Sequence, residues 1–213
     1  MKKIILFISI LFTIISCATP KVQNAHFEGK FVYKISLPKG IDEVSDSTDY
    51  QVVYAKDSML RIENNTPIGK QIYIKHIPRN RAYILMDFGA TKLAIQTIPD
   101  TASENSNYHY SSLKGGEKIA GFKTQSIAVH DIEMDTTITM NYYPNISSKY
   151  STAYTRMPGL PMKYYLLSDN EWVKYQIQSI EEKVLDINLF GIPSDYQIIT
   201  FDEFIELLQQ EEE

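Results

Sequence analysis

His26-Phe27-Glu28-Gly29-Lys30-Phe31-Val32-Tyr33-Lys34-Ile35-Ser36-Leu37 decides the fold class of this chain. Phe27, Gly29, Phe31, Tyr33, Ile35 and Leu37 occupy alternate positions, with mostly polar residues between them. Successive side chains of an extended strand point to opposite faces, so a period of two describes a half-buried β-strand. Pro38-Lys39-Gly40 ends it. The same rhythm then recurs. Residues 50–55 and 59–64 flank Lys56-Asp57-Ser58 as a hairpin, and 68–77 and 81–88 flank Pro78-Arg79-Asn80 as a second. Residues 91–98 follow Gly89 as a further strand, and the acidic stretch 41–49 and the Ser/Asn/Gly-rich stretch 99–117 read as loops. Another hairpin joins 119–131 to 136–143 near Glu133-Met134-Asp135, and 144–154 is irregular or a short helix. Residues 162–167 and 171–182, turned at Ser168-Asp169-Asn170, are the last long strands. Short strands joined by turns, with no helical pattern between them, predict a mainly β fold built as an antiparallel meander.

The end of the chain changes character. Thr200-x-x-Glu203 has the form of a capping box, in which the two side chains satisfy each other's backbone N–H groups. Phe201, Phe204, Ile205 and Leu208 then share one helical face. They predict a short C-terminal helix packed on the sheet, followed by an acidic tail, 211–213. Several strands are apolar on both faces, Tyr83-Ile84-Leu85-Met86 and Tyr164-Tyr165-Leu166-Leu167 among them. Either loops and the C-terminal helix cover the second face, or that face lines a cavity.

At the other end, Lys2 and Lys3 precede an apolar run, 4–15, that is too short to cross a bilayer as a helix. Ile14-Ile15-Ser16-Cys17 follows and resembles the lipobox at which bacterial lipoprotein signal peptidase cuts before a lipidated cysteine. The alternative is an ordinary secretory signal, but that prefers small residues at both flanking positions, and Ile14 is large and branched. The division expected is a signal peptide over 1–16, the lipidated Cys17 with a polar tether to 25, and one β-rich domain over 26–210. The tether reaches about 25–30 Å when extended. Ala18 is not the aspartate that often holds lipoproteins at the inner membrane, which favours outer-membrane attachment, with the domain expected to face the periplasm. Cys17 is the only cysteine, so once acylated it leaves no intrachain disulfide, and stability rests on burial. Removing Lys2 and Lys3 leaves 19 basic against 26 acidic side chains, a balance with no attraction for nucleic acid.

Motifs that carry chemistry are scarce. His26, His76, His109 and His130 are scattered without a ligand partner at helical or strand spacing, so neither a metal site nor another cofactor is expected. There is no phosphate-binding glycine loop and no G-x-S-x-G elbow. The acids Asp42, Glu43, Asp46 and Asp49 lack the spacing of a calcium loop and read as a solvated stretch. Four Asp-Ser/Thr triplets, beginning at Asp46, Asp57, Asp100 and Asp135, resemble an O-glycan acceptor of exported bacterial proteins. Turns favour the same residues for reasons of hydrogen bonding, which is the stronger explanation.

Three later stretches carry a family resemblance. Gly116-Glu117-Lys118-Ile119-Ala120-Gly121-Phe122-Lys123-Thr124-Gln125, Met157-Pro158-Gly159-Leu160-Pro161-Met162-Lys163-Tyr164 and Leu189-Phe190-Gly191-Ile192-Pro193-Ser194-Asp195-Tyr196 resemble, in order, segments of the GLPGLI (DUF4412-like) group of bacterial secreted proteins and lipoproteins. Thr124 stands where that group often has cysteine. The group looks related to the LolA/LolB type of lipoprotein carrier, which implies a strongly curved antiparallel sheet, an unclosed half-barrel with helices over its apolar face. On residue chemistry alone, Gly121 marks a bend or bulge, Pro158-Gly159 and Pro161 start a strand, and Ile192-Pro193 ends a short segment before the last strand.

The expectation is a non-enzymatic lipoprotein that binds a hydrophobic small molecule or lipid moiety in its curved sheet. The candidate lining is Tyr83, Leu85, Leu93, Ile95, Met140, Tyr142, Tyr165 and Leu167. An interaction module with an envelope protein partner is the alternative, and a hydrolase or metalloenzyme ranks last.

Overall fold

The strand read from the opening alternation forms as expected and becomes the centre of the sheet. A computed structural model describes residues 26–36, 50–66, 69–97, 107–151, 153–168 and 171–210. Cys17 with its leader and tether, the loop acids at 42–49, the triplets at Asp46 and Asp100 and the tail 211–213 lie outside the described residues. From β1 (Glu28–Ser36) the chain meanders through β2 (Tyr50–Lys56), β3 (Met59–Thr66), β4 (Gly69–His76), β5 (Arg81–Asp87) and β6 (Lys92–Thr97), each antiparallel to the last. There follow β7 (Tyr108–Ser112), a small separate hairpin of β8 (Lys118–Ile119) and β9 (Phe122–Lys123), then β10 (Gln125–Asp131), β11 (Thr136–Tyr143), β12 (Leu160–Ser168) and β13 (Glu171–Glu182). β13 closes onto the free edge of β1, and β14 (Gln197–Thr200) returns to β6 in parallel. The result is one open twelve-stranded, mostly antiparallel sheet, ordered β14-β6-β5-β4-β3-β2-β1-β13-β12-β11-β10-β7, with one C-terminal helix, α1 (Phe201–Gln210).

Register sorts the residues onto two faces. Phe31 pairs with Val53 and Ile180, and Val53 with Ile62, so alternate residues from β13 to β3 converge on one apolar face. Phe31, Leu60, Met162 and Tyr164 are almost fully buried there. The hollow of this face is filled by the chain itself. Residues 144–159, with a 3₁₀ turn at Ser148–Tyr150, bring Ile146, Tyr150, Ala153, Tyr154 and Met157 into the same core. Tyr150 is tied by its hydroxyl, which accepts from Phe27 N at 3.0 Å and donates to Asp57 O at 3.0 Å. Tyr154 donates to Tyr165 O at 2.6 Å while its ring meets Tyr108 and Tyr164. Large rings thus supply the apolar burial, roughly 1.5–3 kcal/mol for each large side chain, and their hydroxyls reach backbone carbonyls, so no polar atom is stranded.

The structure corrects several sequence expectations. The stretch 99–117 is not loop throughout, since β7 lies inside it and pairs with β10 at the sheet edge. Gly121 is neither bend nor bulge. With Ala120 at φ 48° and Gly121 at φ 87°, the pair forms the tight turn of the β8–β9 hairpin, where two positive φ values match the strand twist. The capping box forms, with Glu203 accepting from Thr200 N at 2.7 Å and Glu203 N donating to Thr200 Oγ1 at 3.2 Å. The helix behind it packs less than expected. Phe204 joins Leu93, Ile95 and Ile199, whereas Phe201 (53% exposed) and Leu208 (45%) face outward.

Gly159 leads into β12 as expected, but its decisive property is lack of a side chain. A Cβ there would stand 2.3 Å from Tyr143 O and 2.8 Å from Pro144 Cα. Both are backbone, so neither moves without displacing the end of β11. Gly159→Ala is expected to lower stability by about 1–3 kcal/mol or more, as overpacking does. Urea denaturation checks this, and an unchanged midpoint would refute the close approach.

Candidate functional site

One segment crosses the second face of the sheet. Residues 183–196 leave β13 in mid-sheet and run to β14 at the far edge, passing over β1 to β6 as a strap. Every strand but β5 grips it with a polar side chain. The Glu28 carboxylate on β1 accepts from Leu185 N and from Lys56 Nζ. Lys56 on β2 also donates to Leu185 O at 2.9 Å, and Arg61 Nη1 on β3 donates to Leu189 O at 3.0 Å. His76 on β4 meets Phe190 O at 2.8 Å. Lys92 on β6 bridges Asp195 at 3.0 Å and Asp87 at 3.2 Å. The strap shapes itself locally through Asp186, whose carboxylate accepts from Asn188 N and starts the 3₁₀ turn Ile187–Phe190.

Between the strap and the β4–β5 hairpin lies a cleft of about 190 Å³. Its sheet side is a square of cross-strand pairs, Ile74 with Tyr83 and His76 with Arg81. The connecting turn Ile77–Arg79 ends at Asn80, whose φ of 46° reverses the chain so that Arg79 and Arg81 both border the cleft. Phe190, Gly191 and Ile192 form the strap side. Ile74 and Phe190 are fully buried and make an apolar floor, while both arginines are exposed at the mouth. Among the described residues neither arginine is paired with a carboxylate. A carbonyl can only accept, so His76 carries its proton on Nε2 and that donor is committed to Phe190. Among the described residues the lining holds no carboxylate, serine or cysteine. This arrangement can bind, and it offers no nucleophile with an adjacent base.

Elsewhere the chemistry is thin. His26 is exposed beside Asp57, and His109 is the cross-strand neighbour of His130, which lies 3.8 Å from Asp135. The described residues hold no group of three His, Cys, Asp or Glu disposed to share a metal ion. No described helix is long and apolar enough to cross a membrane. The triplets at Asp57 and Asp135 both lie in tight turns with positive φ at the aspartate.

The eight candidate lining residues do not meet at one place. Tyr83 and Leu85 lie beneath the strap, where Ile192 and Tyr196 cover them. Leu93 and Ile95 point to the other face, under α1 and β14. Met140 and Tyr142 belong to the main core beside the filled hollow. Tyr165 is half-buried and Leu167 is 41% exposed. Of the eight, Tyr83 alone borders the strap cleft. His76, Arg79 and Arg81 were legible only as a histidine and a turn, because the strap that turns them into a site begins at 183, more than 100 residues away in sequence, and gives no periodic signal.

The fold has a solved counterpart. It is similar to part of PNGF-II. That structure aligns with 86% of this chain at 12% sequence identity and a TM-score of 0.55, and the chain spans 33% of the PNGF-II chain. At this identity the likeness to PNGF-II shows fold alone. No protein-family model matches the chain, and no curated protein does.

The strap's anchors titrate. Leu185 N–H, then Lys56, hold the Glu28 carboxyl below its usual value, and Lys92 does the same for Asp195. Asp87 is lowered by Gly89 N–H and then Lys92. A carboxyl depressed in the folded state lends stability that is complete above its unfolded value, 4.5 for Glu28 and 3.8 for the aspartates, and disappears as pH falls through the lower folded value. Lys92, raised by Asp195 and Asp87, acts at the other end, its contribution fading only above 10.5. Strap amides are therefore expected to lose hydrogen-exchange protection relative to β1 between about pH 5 and pH 3. Equal loss in strap and β1, or none, would show that these anchors do not hold the strap.

Proposed function

We propose that this chain is a non-enzymatic, lipid-anchored binding protein of the bacterial outer membrane, and that its binding site is the strap cleft. The observation that carries the reading is the cleft itself, an apolar floor with a mouth of two guanidiniums that have no carboxylate partner among the described residues, set opposite a core face that the chain fills with its own residues 144–159. Ligand sites combine an apolar lining with a few placed polar groups in this way. The lipobox at Ile14 to Cys17 supports the anchor, and the resemblance to the GLPGLI group and the carrier fold supports a role in the envelope. Native mass spectrometry of the secreted Cys17→Ser chain, purified without detergent, tests the binding role. A bound small molecule is expected, and it should be absent from Ile192→Trp, whose larger ring occupies the cleft. A bare chain, or a molecule retained equally by Ile192→Trp, would refute the assignment.

One observation favours a second reading, a module that docks an envelope protein. α1 buries none of its residues fully, and Phe201, Ile205, Leu207 and Leu208 are all exposed. Crosslinking on intact membranes distinguishes this reading, which requires adducts that disappear in Phe201→Ser/Leu208→Ser.

A further inference from the structure

We infer that the strap cleft recognises a carboxylate joined to a short apolar tail, a fatty-acid-type monocarboxylate. This inference rests on the reading of the cleft as the binding site and goes on to name the ligand's chemistry.

Charge supplies the first part. The chain is acidic, with a formal net charge of −5, yet Arg79 and Arg81 meet at one mouth with no carboxylate partner among the described residues. A guanidinium presents a planar fork of N–H donors that matches a carboxylate or phosphate in two parallel hydrogen bonds. Two residues apart across a tight turn, the two forks can approach one anionic head from different sides. The Nε2–H of His76 is already committed to the strap at Phe190 O.

Shape and polarity supply the rest. Behind the mouth the walls are Ile74, Phe190 and Ile192, with the half-buried Tyr83 ring alongside. Beyond the two guanidiniums these walls are mostly apolar, so the further oxygens of an inorganic or doubly charged oxyanion would lose hydration that the walls replace poorly. An apolar tail gains from the same contact. The volume of about 190 Å³ lies below the range of roughly 300–1,000 Å³ typical of sites for drug-sized ligands. It equals roughly six water molecules' share of the liquid, so the head and a few carbons fit inside and a longer tail leaves along the strap.

The test compares octanoate, octanol and inorganic phosphate, titrated by calorimetry into the secreted Cys17→Ser chain. Octanoate is expected to bind, and octanol and phosphate at the same concentrations are not. Arg79→Gln or Arg81→Gln should each weaken octanoate roughly tenfold or more, the loss of a charge-assisted hydrogen-bond pair, and the double variant should abolish binding. Both arginines are exposed, so circular dichroism should remain that of the parent chain. Octanol binding as tightly as octanoate would overturn the anionic part while leaving the cleft a binding site. Phosphate binding as tightly would overturn the tail. Failure of octanoate at millimolar concentration would overturn the inference, and the Ile192→Trp comparison would then show separately whether the cleft holds another molecule.

Discussion

Phe31→Ala is expected to lower global stability by about 3–5 kcal/mol, the range for removing a buried aromatic ring and leaving a cavity. Phe31 is fully buried at the middle of β1, and β1 is the one strand that joins the two halves of the sheet. Its ring stacks on Phe27 with centroids 4.6 Å apart, and its cross-strand partners are Val53 on one side and Ile180 on the other. The site cannot collapse easily, since neighbours on both sides are fixed by strand register. Urea or thermal unfolding checks the value. A loss below about 1 kcal/mol would mean that the two halves are held together elsewhere, and a separate transition for each half would mean that β1 does not couple them.

Phe190→Ala is the second large effect, and it differs in kind. Phe190 is buried beneath the strap, where its carbonyl accepts from His76 and its ring floors the cleft. Truncation again removes roughly 3 kcal/mol or more of packing. The strap, however, can lift without unfolding the sheet, because its own regular structure is one 3₁₀ turn and its grips are side chains on separate strands. The loss is therefore expected as local opening, a roughly hundredfold fall in exchange protection over 183–196, with a much smaller shift of the global midpoint. Small-molecule binding should disappear with it. A global loss equal to that of Phe31→Ala would show the strap to be part of the cooperative core, and unchanged protection would show that Phe190 does not hold it down.

These two residues also mark what was legible in the sequence. Phe31 sits in an unbroken alternation, and period two places its side chain on the buried face directly. The hairpins at Asp57 and Asn80 and the capping box at Thr200 were equally plain, because each rests on neighbouring residues. Phe190 has no such signal. Its segment pairs with nothing regular, and its burial follows from β13 pairing with β1 and β14 with β6, which no local pattern encodes. β7 was missed for a related reason, since within it only Tyr108 and Tyr110 pack on the core, in a stretch otherwise mostly polar. The doubly apolar run at 83–86 left two readings open, a covered second face or a cavity, and in the structure the strap lies over one face and α1 with β14 over the other.

The central position of β1 has a consequence for the time course of folding. Phe31 finds Val53 within its own half of the chain, but its partner Ile180 is synthesised about 150 residues later. Until β13 arrives, the first six strands can assemble with one long edge of β1 open, and an unpaired edge is a template for association with other chains. Slow acquisition of the native sheet follows from pairing at such long range. Refolding at rising concentration should therefore lose yield, and a peptide copying residues 171–182 should restore it by occupying that edge.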